Sequence, residues 1–179
     1  MKQIVVWSLF IVPYLSLFFL DRSAIRRYMP VALLTIVLNT LINQMAWIYD
    51  WWKFKITLFS WDKVVPLFTV YGIFFIGTIW IFAFTFRKFW LYMIVNVIVD
   101  LGYGFGLAFM LENLGVRERG NLSPLQNLLL MTVFAVILYV YQLWQEGILG
   151  SGHKNKNTER NREVRNPLRI TWRIREKAR

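Results

Sequence analysis

The chain has 179 residues, 57% of them apolar and 32 of them Phe, Trp or Tyr, with 21 Lys and Arg against 10 Asp and Glu. A soluble core of this size cannot bury so much apolar surface, so the excess meets lipid and the net charge of +11 is segregated from it along the sequence. The absence of Cys excludes disulfides, thiolate metal sites and Cys nucleophiles, and the lone His153 lies in a polar tail, which excludes intramembrane haem or zinc ligation through His.

An apolar helix needs about 20 residues to cross the hydrocarbon. Five segments qualify: Val5 to Leu20, Pro30 to Tyr49, Val64 to Phe86, Trp90 to Leu111 and Leu125 to Gln145. The first is short and contains Pro13, but Asp21-Arg22-Ser23-Ala24-Ile25 after it offers no small-x-small cleavage site, so a retained helix is expected. Asp62 with Pro66, and Ser123 with Pro124, mark the starts of the third and fifth spans as caps followed by prolines. The predicted fold is all-α, a polytopic bundle of five transmembrane helices over residues 1–146, followed by a basic tail over residues 147–179.

Cations set the orientation. The tail after Gln145 holds ten Lys or Arg, which predicts a cytoplasmic C-terminus and, through five crossings, an outer N-terminus. Fifteen cations then fall inside, among them Arg22, Arg26, Arg27, Arg87 and Lys88, and six outside: Lys2, Lys53, Lys55, Lys63, Arg117 and Arg119.

Between spans two and three, Asp50 to Trp61 mixes three Trp with Lys and reads as a segment lying on the outer surface. A ligand-gripping aromatic lid is the alternative. Arg87-Lys88-Phe89 is so short that spans three and four form a tight hairpin with its cations at anionic headgroups. In the tail, Gly150 to Asn166 has the composition of a flexible linker. Leu168 to Arg175 then alternates apolar and polar residues, placing Arg169, Arg173 and Arg175 on one cationic face. An anionic membrane surface is the expected partner of that face, a protein the second, and nucleic acid is disfavoured because no RNA-binding motif accompanies the charge.

One carboxylate falls inside a span. Asp100 lies near the middle of the fourth, where an ionisable group is costly and points to function. Asn96 precedes it by one turn, and Tyr103 and Gly104 continue the same face. Asn39 and Asn43, with Thr35 before them, form a matching stripe on the second span at nearly the same depth. Spans two and four are therefore expected to pack with Asn39, Asn43, Asn96 and Asp100 facing each other and Gln44 beside them. In a structural reading these groups hydrogen-bond across helices, with Asp100 neutral because low dielectric disfavours its charge. In a functional reading Asp100 exchanges protons or coordinates a cation. Gly72, Gly77, Gly102, Gly104 and Gly106 are expected to mark close helix contacts or points where the backbone unwinds near a site.

Several chemistries lack their residues. No His or Lys base lies in a span to activate a Ser, Asp100 has no second intramembrane carboxylate, and Asp21, Asp50 and Asp62 are scattered on loops. An enzyme is not expected, nor is a cofactor or metal. The polar stripe supports a transporter, while small size, an odd span count and no internal repeat weigh against one. The expectation is a non-enzymatic accessory or scaffold subunit of a membrane complex, with a small proton- or cation-coupled carrier or channel as the alternative.

Arg27-Tyr28-Met29-Pro30-Val31-Ala32, Trp51-Trp52, Gly77-Thr78-Ile79-Trp80, Phe84-Thr85-Phe86-Arg87-Lys88-Phe89-Trp90 and Tyr141-Gln142-Leu143-Trp144-Gln145-Glu146 resemble an uncharacterised family of small multi-span membrane proteins from Gram-positive, spore-forming bacteria. The resemblance covers about residues 1–146 and implies a bacterial plasma membrane. It carries no activity to assign to any residue, and the long basic tail departs from it.

Overall fold

The computed structural model describes the backbone of residues 2–165 and the side chains of residues 2–147. It is mostly helical, and five of its helices are long and apolar enough to cross a membrane: Lys2–Phe19, Arg22–Ile48, Phe68–Thr85, Phe89–Asn113 and Pro124–Gly147. The chain divides into two compact units, Met1–Tyr139 and Val140–Arg179.

In the first unit, α1 (Lys2–Ser16) ends in a tight turn at Leu17–Phe19, and α2 (Arg22–Ile48) follows almost at once. Helix α2 therefore begins eight residues before Pro30, where the sequence placed its start. Nothing from Arg22 to Met29 breaks a helix, and Asp21 stands at the N-cap position with extended backbone. Pro30 costs one backbone bond, to the carbonyl of exposed Arg26. Span three opens with a π-helical stretch, Phe68–Phe74, before α3 (Phe75–Thr85). Span four runs as α4 (Phe89–Leu101), a second π-helical stretch at Gly102–Leu107, and α5 (Ala108–Asn113).

The turn between α3 and α4 is as tight as expected. Arg87 takes a φ of +74°, and Lys88 N–H donates to the Thr85 carbonyl at 3.1 Å. Both cations are exposed there. Helix α3 packs against both α2 and α4, which do not pack broadly on each other. The expected face-to-face packing of spans two and four is thus corrected in part: Asn39 meets Asn96 and Asp100 around a cavity that α3 also lines, not in direct helix contact.

Three distant segments build a cap at one end of the bundle. Strands β1 (Trp52–Phe54) and β2 (Arg117–Arg119) pair antiparallel, with Lys53 opposite Glu118. Lys55 N–H donates to the Val116 carbonyl at 2.8 Å, and Asn121 N–H to the Asp50 carbonyl at 2.8 Å. Gly115, at φ +65°, ends α5 in the left-handed conformation that glycine tolerates. Gln3 Nε2 donates to the Thr57 carbonyl at 3.0 Å, which brings in the N-terminal helix. The N-terminal end, the loop after span two and the loop after span four therefore share one face, as an odd-even alternation of spans requires.

Beneath the cap, Trp52, Phe54 and Leu58 pack with Val6, Ile42, Ala46, Phe68, Leu111 and Val116. Burying each aromatic side chain contributes roughly 2–3 kcal/mol. The expectation that Asp50 to Trp61 lies wholly on the surface is corrected, because strand alternation sends Trp52 and Phe54 inward while Phe59 and Trp61 stack outside. Asp62 closes the loop, accepting the Phe59 and Leu67 N–H groups at 3.1 and 3.2 Å.

At the opposite end Tyr28, Phe82, Phe86, Tyr92, Phe89 and Tyr139 form a continuous aromatic cluster, with Phe82–Tyr92 and Tyr92–Tyr139 centroids each 4.9 Å apart. Tyr92, fully buried, donates its hydroxyl to the Ala135 carbonyl at 2.9 Å. Helix α6 (Pro124–Arg165) starts with the expected cap, completed into a reciprocal box: Ser123 Oγ accepts Gln126 N–H, and Gln126 Oε1 accepts Ser123 N–H.

In the second unit, Tyr141 and Trp144 rings lie 5.8 Å apart on α6. The backbone stays helical through Arg165, so Gly150 to Arg165, expected as a flexible linker, is helix. Lys, Arg and Glu have good helix propensity, and no proline interrupts the run. The expected cationic face at Arg169, Arg173 and Arg175 lies outside the described residues.

Candidate functional site

The interior of the first unit holds a chain of cavities between the cap and the aromatic cluster. An outer chamber of about 320 Å³ is lined by Trp51, Trp52, Arg117 and Arg119 from the cap, Asp100, Leu101, Gly104 and Phe105 from span four, and Leu122, Pro124, Leu125, Asn127 and Leu128 at the start of α6. An inner chamber of about 130 Å³ is lined by Thr35, Asn39, Gly77, Thr78, Asn96, Asp100 and Tyr103 among apolar neighbours. A third, separate cavity of about 10 Å³, called the neck, shares Trp52, Arg117 and Asn127 with the outer chamber and Asn39, Phe74 and Tyr103 with the inner one. Asp100 lines both chambers.

Local chain chemistry explains this space. The two π-helical stretches meet where Phe74 and Tyr103 pack at 5.1 Å between ring centroids, and a π-helical turn widens the backbone and re-aims its side chains. The expectation that glycines mark close helix contacts holds at Gly72, where an added Cβ would lie 3.1 Å from the Leu9 carbonyl oxygen. It is corrected at Gly77, Gly102, Gly104 and Gly106, where nothing lies within 4 Å. Gly77 and Gly104 leave room for the two chambers instead.

The polar residues read from the sequence divide into three groups. Asn39, Asn96 and Asp100 do share the inner chamber. Asn43 is buried but turns to the cap, accepting the Trp52 indole N–H at 3.1 Å. Gln44 is exposed and stands apart, because its position on the helix follows Asn43 by 100°, off the buried stripe. The expected amide bonds across helices are not formed: Asn39, Asn43 and Asn96 each donate to the carbonyl four residues earlier in their own helix, at 2.8–3.0 Å. Satisfying these donors locally leaves Asn39 Oδ1 buried without a partner. Among the described residues, the cross-helix bond in the stripe joins Thr78 and Thr35 hydroxyls at 3.1 Å. Among the described residues Asp100 accepts no hydrogen bond and forms no ion pair, although it is partly buried.

Arg117 is the residue that sequence reasoning missed. Counted as an outer-loop cation, it is instead largely buried, its side chain 12% exposed, and it lines the outer chamber and the neck. Its Nη1 donates to Glu112 Oε1 at 3.4 Å, its guanidinium lies 5.7 Å from the centre of the Trp52 ring, and its Nε is buried without a partner. Glu112 also faces Arg119 at 3.9 Å. The signal available in sequence was the run Arg117-Glu118-Arg119 close behind Glu112, in a loop too short to reach far from span four. Among the described residues, no cluster of three or more His, Cys, Asp or Glu could hold a metal ion. No family model, curated protein or solved structure matches this chain.

Proposed function

We propose that this protein is a non-enzymatic, multi-pass protein of a bacterial plasma membrane that takes up a proton or a cationic group at Asp100, as a small carrier or channel does. The observation that carries this reading is a carboxylate that, among the described residues, has no hydrogen-bond partner and lines two separate chambers of the helix bundle. A purely structural Asp would have its lone pairs satisfied by neighbouring donors, whereas one that lines two largely apolar cavities has room for a ligand. In this reading the cap faces outward and the chambers load from the cap side, while the aromatic cluster at Phe82, Tyr92 and Tyr139 closes the cytoplasmic end.

The test is flux of protons and monovalent cations into liposomes bearing the purified chain, compared with Asp100→Asn. Flux abolished by this substitution supports the proposal; flux absent from the wild-type chain, or unaffected by the substitution, refutes it.

A second reading, an accessory or scaffold subunit, draws on α6, which continues as helix to Arg165 beyond its apolar stretch and carries Lys154, Lys156, Arg160, Arg162 and Arg165 there. Such a basic rod suits an acidic protein surface or anionic lipid. Co-purification of a stoichiometric partner in mild detergent, lost on truncation after Gly147, would favour it.

A further inference from the structure

Asp100 and Arg117 line the same outer chamber and yet make no ion pair with each other. Opposite charges left apart in a shared cavity of low dielectric are a template for a ligand that carries both complements. Arg117 keeps its buried Nε donor unpaired, and Arg119, 61% exposed, adds a second guanidinium to the same wall. Glu112 pairs with both arginines, so with Asp100 ionised the fixed charges around the chamber cancel. A ligand of one sign would leave a net charge there; a zwitterion would not.

The chamber is also amphipathic. Leu101, Phe105, Leu125 and Leu128 line it along with the charges, and Phe105 and Leu125 are each 66% exposed. Its wall therefore reaches the lipid-facing surface between span four and the start of α6. A volume of about 320 Å³ accommodates a headgroup but not two acyl chains, which would leave by that apolar side.

Resting on the reading of Asp100 as a site for a cationic group, we propose that the outer chamber binds the headgroup of an aminophospholipid. The primary ammonium sits at Asp100, the phosphate at Arg117 and Arg119, and the acyl chains pass out between Phe105 and Leu125. A primary amine is favoured over a quaternary one on two grounds. A carboxylate without donors calls for N–H groups, which a quaternary ammonium lacks. Of the aromatic rings lining the chamber, Trp52 is engaged by Arg117 and Trp51 by Tyr49, stacked at 5.8 Å, which leaves only Phe105, too few for the cage a quaternary ammonium requires.

The test uses the full chain, purified in detergent and delipidated, then offered equal amounts of dioleoyl phosphatidylethanolamine, phosphatidylglycerol and phosphatidylcholine, with bound lipid read by native mass spectrometry. Phosphatidylethanolamine should be retained about tenfold over the other two, the discrimination one hydrogen bond to a charged group supports. Asp100→Asn should erase its advantage over phosphatidylcholine, and Arg117→Gln should lower retention of all three lipids. Gly104→Leu, which fills the chamber without removing a charge, should abolish retention, and a cooperative melting transition in detergent is required of each variant so that loss of retention reports the site and not the fold. Equal retention of the three lipids by the wild-type chain overturns the proposal. So does displacement of phosphatidylethanolamine by soluble glycerophosphoethanolamine at equal concentration, which would make a free zwitterion the ligand. Cation flux that depends on Asp100 alongside equal lipid retention would sink this inference alone; lipid selectivity without any such flux would sink the carrier reading and leave the headgroup site standing.

Discussion

Trp52 donates its indole N–H to Asn43 Oδ1 at 3.1 Å, and this buried bond fastens the cap to the polar stripe of α2. Trp52→Phe leaves the Asn43 oxygen without its donor and should cost about 1–3 kcal/mol. Adding Asn43→Leu removes the orphaned acceptor as well, so the double variant should recover part of that loss. Thermal unfolding of the four proteins in one detergent checks this, and a double variant less stable than the sum of its parts would disprove it.

Gly72 and Gly104 give opposite outcomes for the same chemical change. At Gly72 a methyl group meets the Leu9 carbonyl and Phe10 Cα at 3.1 and 3.3 Å, both backbone, so Gly72→Ala should destabilise by about 1–3 kcal/mol through overpacking of α1 against span three. At Gly104 nothing lies within 4 Å, and Gly104→Ala should be neutral or stabilising by up to about 1 kcal/mol through its helical preference. Melting temperatures of the two variants should move apart.

Glu112 and Glu118 both pair with cations of the cap, at very different exposure. The Lys55–Glu118 pair is more than half exposed on both sides, so Glu118→Gln should change stability by less than about 1 kcal/mol. Glu112 is 20% exposed and faces both Arg117 and Arg119. Glu112→Gln leaves Arg117 buried without its counter-charge and should cost about 3 kcal/mol. Denaturation in detergent at low and high salt separates them, since screening should weaken only the exposed pair.

The proposed orientation predicts a labelling pattern. The chain has no Cys, so Ser23→Cys and Ser123→Cys each supply a single thiol. An impermeant thiol reagent applied to intact cells should modify the second and spare the first; the reverse would invert the topology.

The spans were legible because a run of about 20 apolar residues has few alternatives to crossing a bilayer, and the Ser123 and Asp62 caps because their chemistry is local. Asp100 and Asn39 do reach one chamber, although the count that matched them started α2 at Pro30, eight residues after its actual beginning. What sequence could not supply was the pairing of Trp52–Phe54 with Arg117–Arg119. Each strand has three residues, too few for a period-two pattern to emerge, and their partnership spans two intervening crossings. Without it, Arg117 reads as one more loop cation and Trp52 as an interfacial anchor. The π-helical stretches were equally hidden, because they differ from α-helix in hydrogen-bond register and not in hydropathy. Asn43 and Gln44 show the limit in miniature: adjacent amides of equal polarity, one buried and bonded, the other exposed.

The same strand pairing constrains the order of biosynthesis. β1 emerges with the loop after span two, but its partner β2 is synthesised only after spans three and four. Until then the backbone groups of Trp52–Phe54 that face β2 have no partner, and neither Arg117 nor the wall at the start of α6 is present. The outer chamber therefore cannot exist before the start of α6 is made, and a nascent chain halted before Arg117 would present an open strand edge to the first β-forming segment it met.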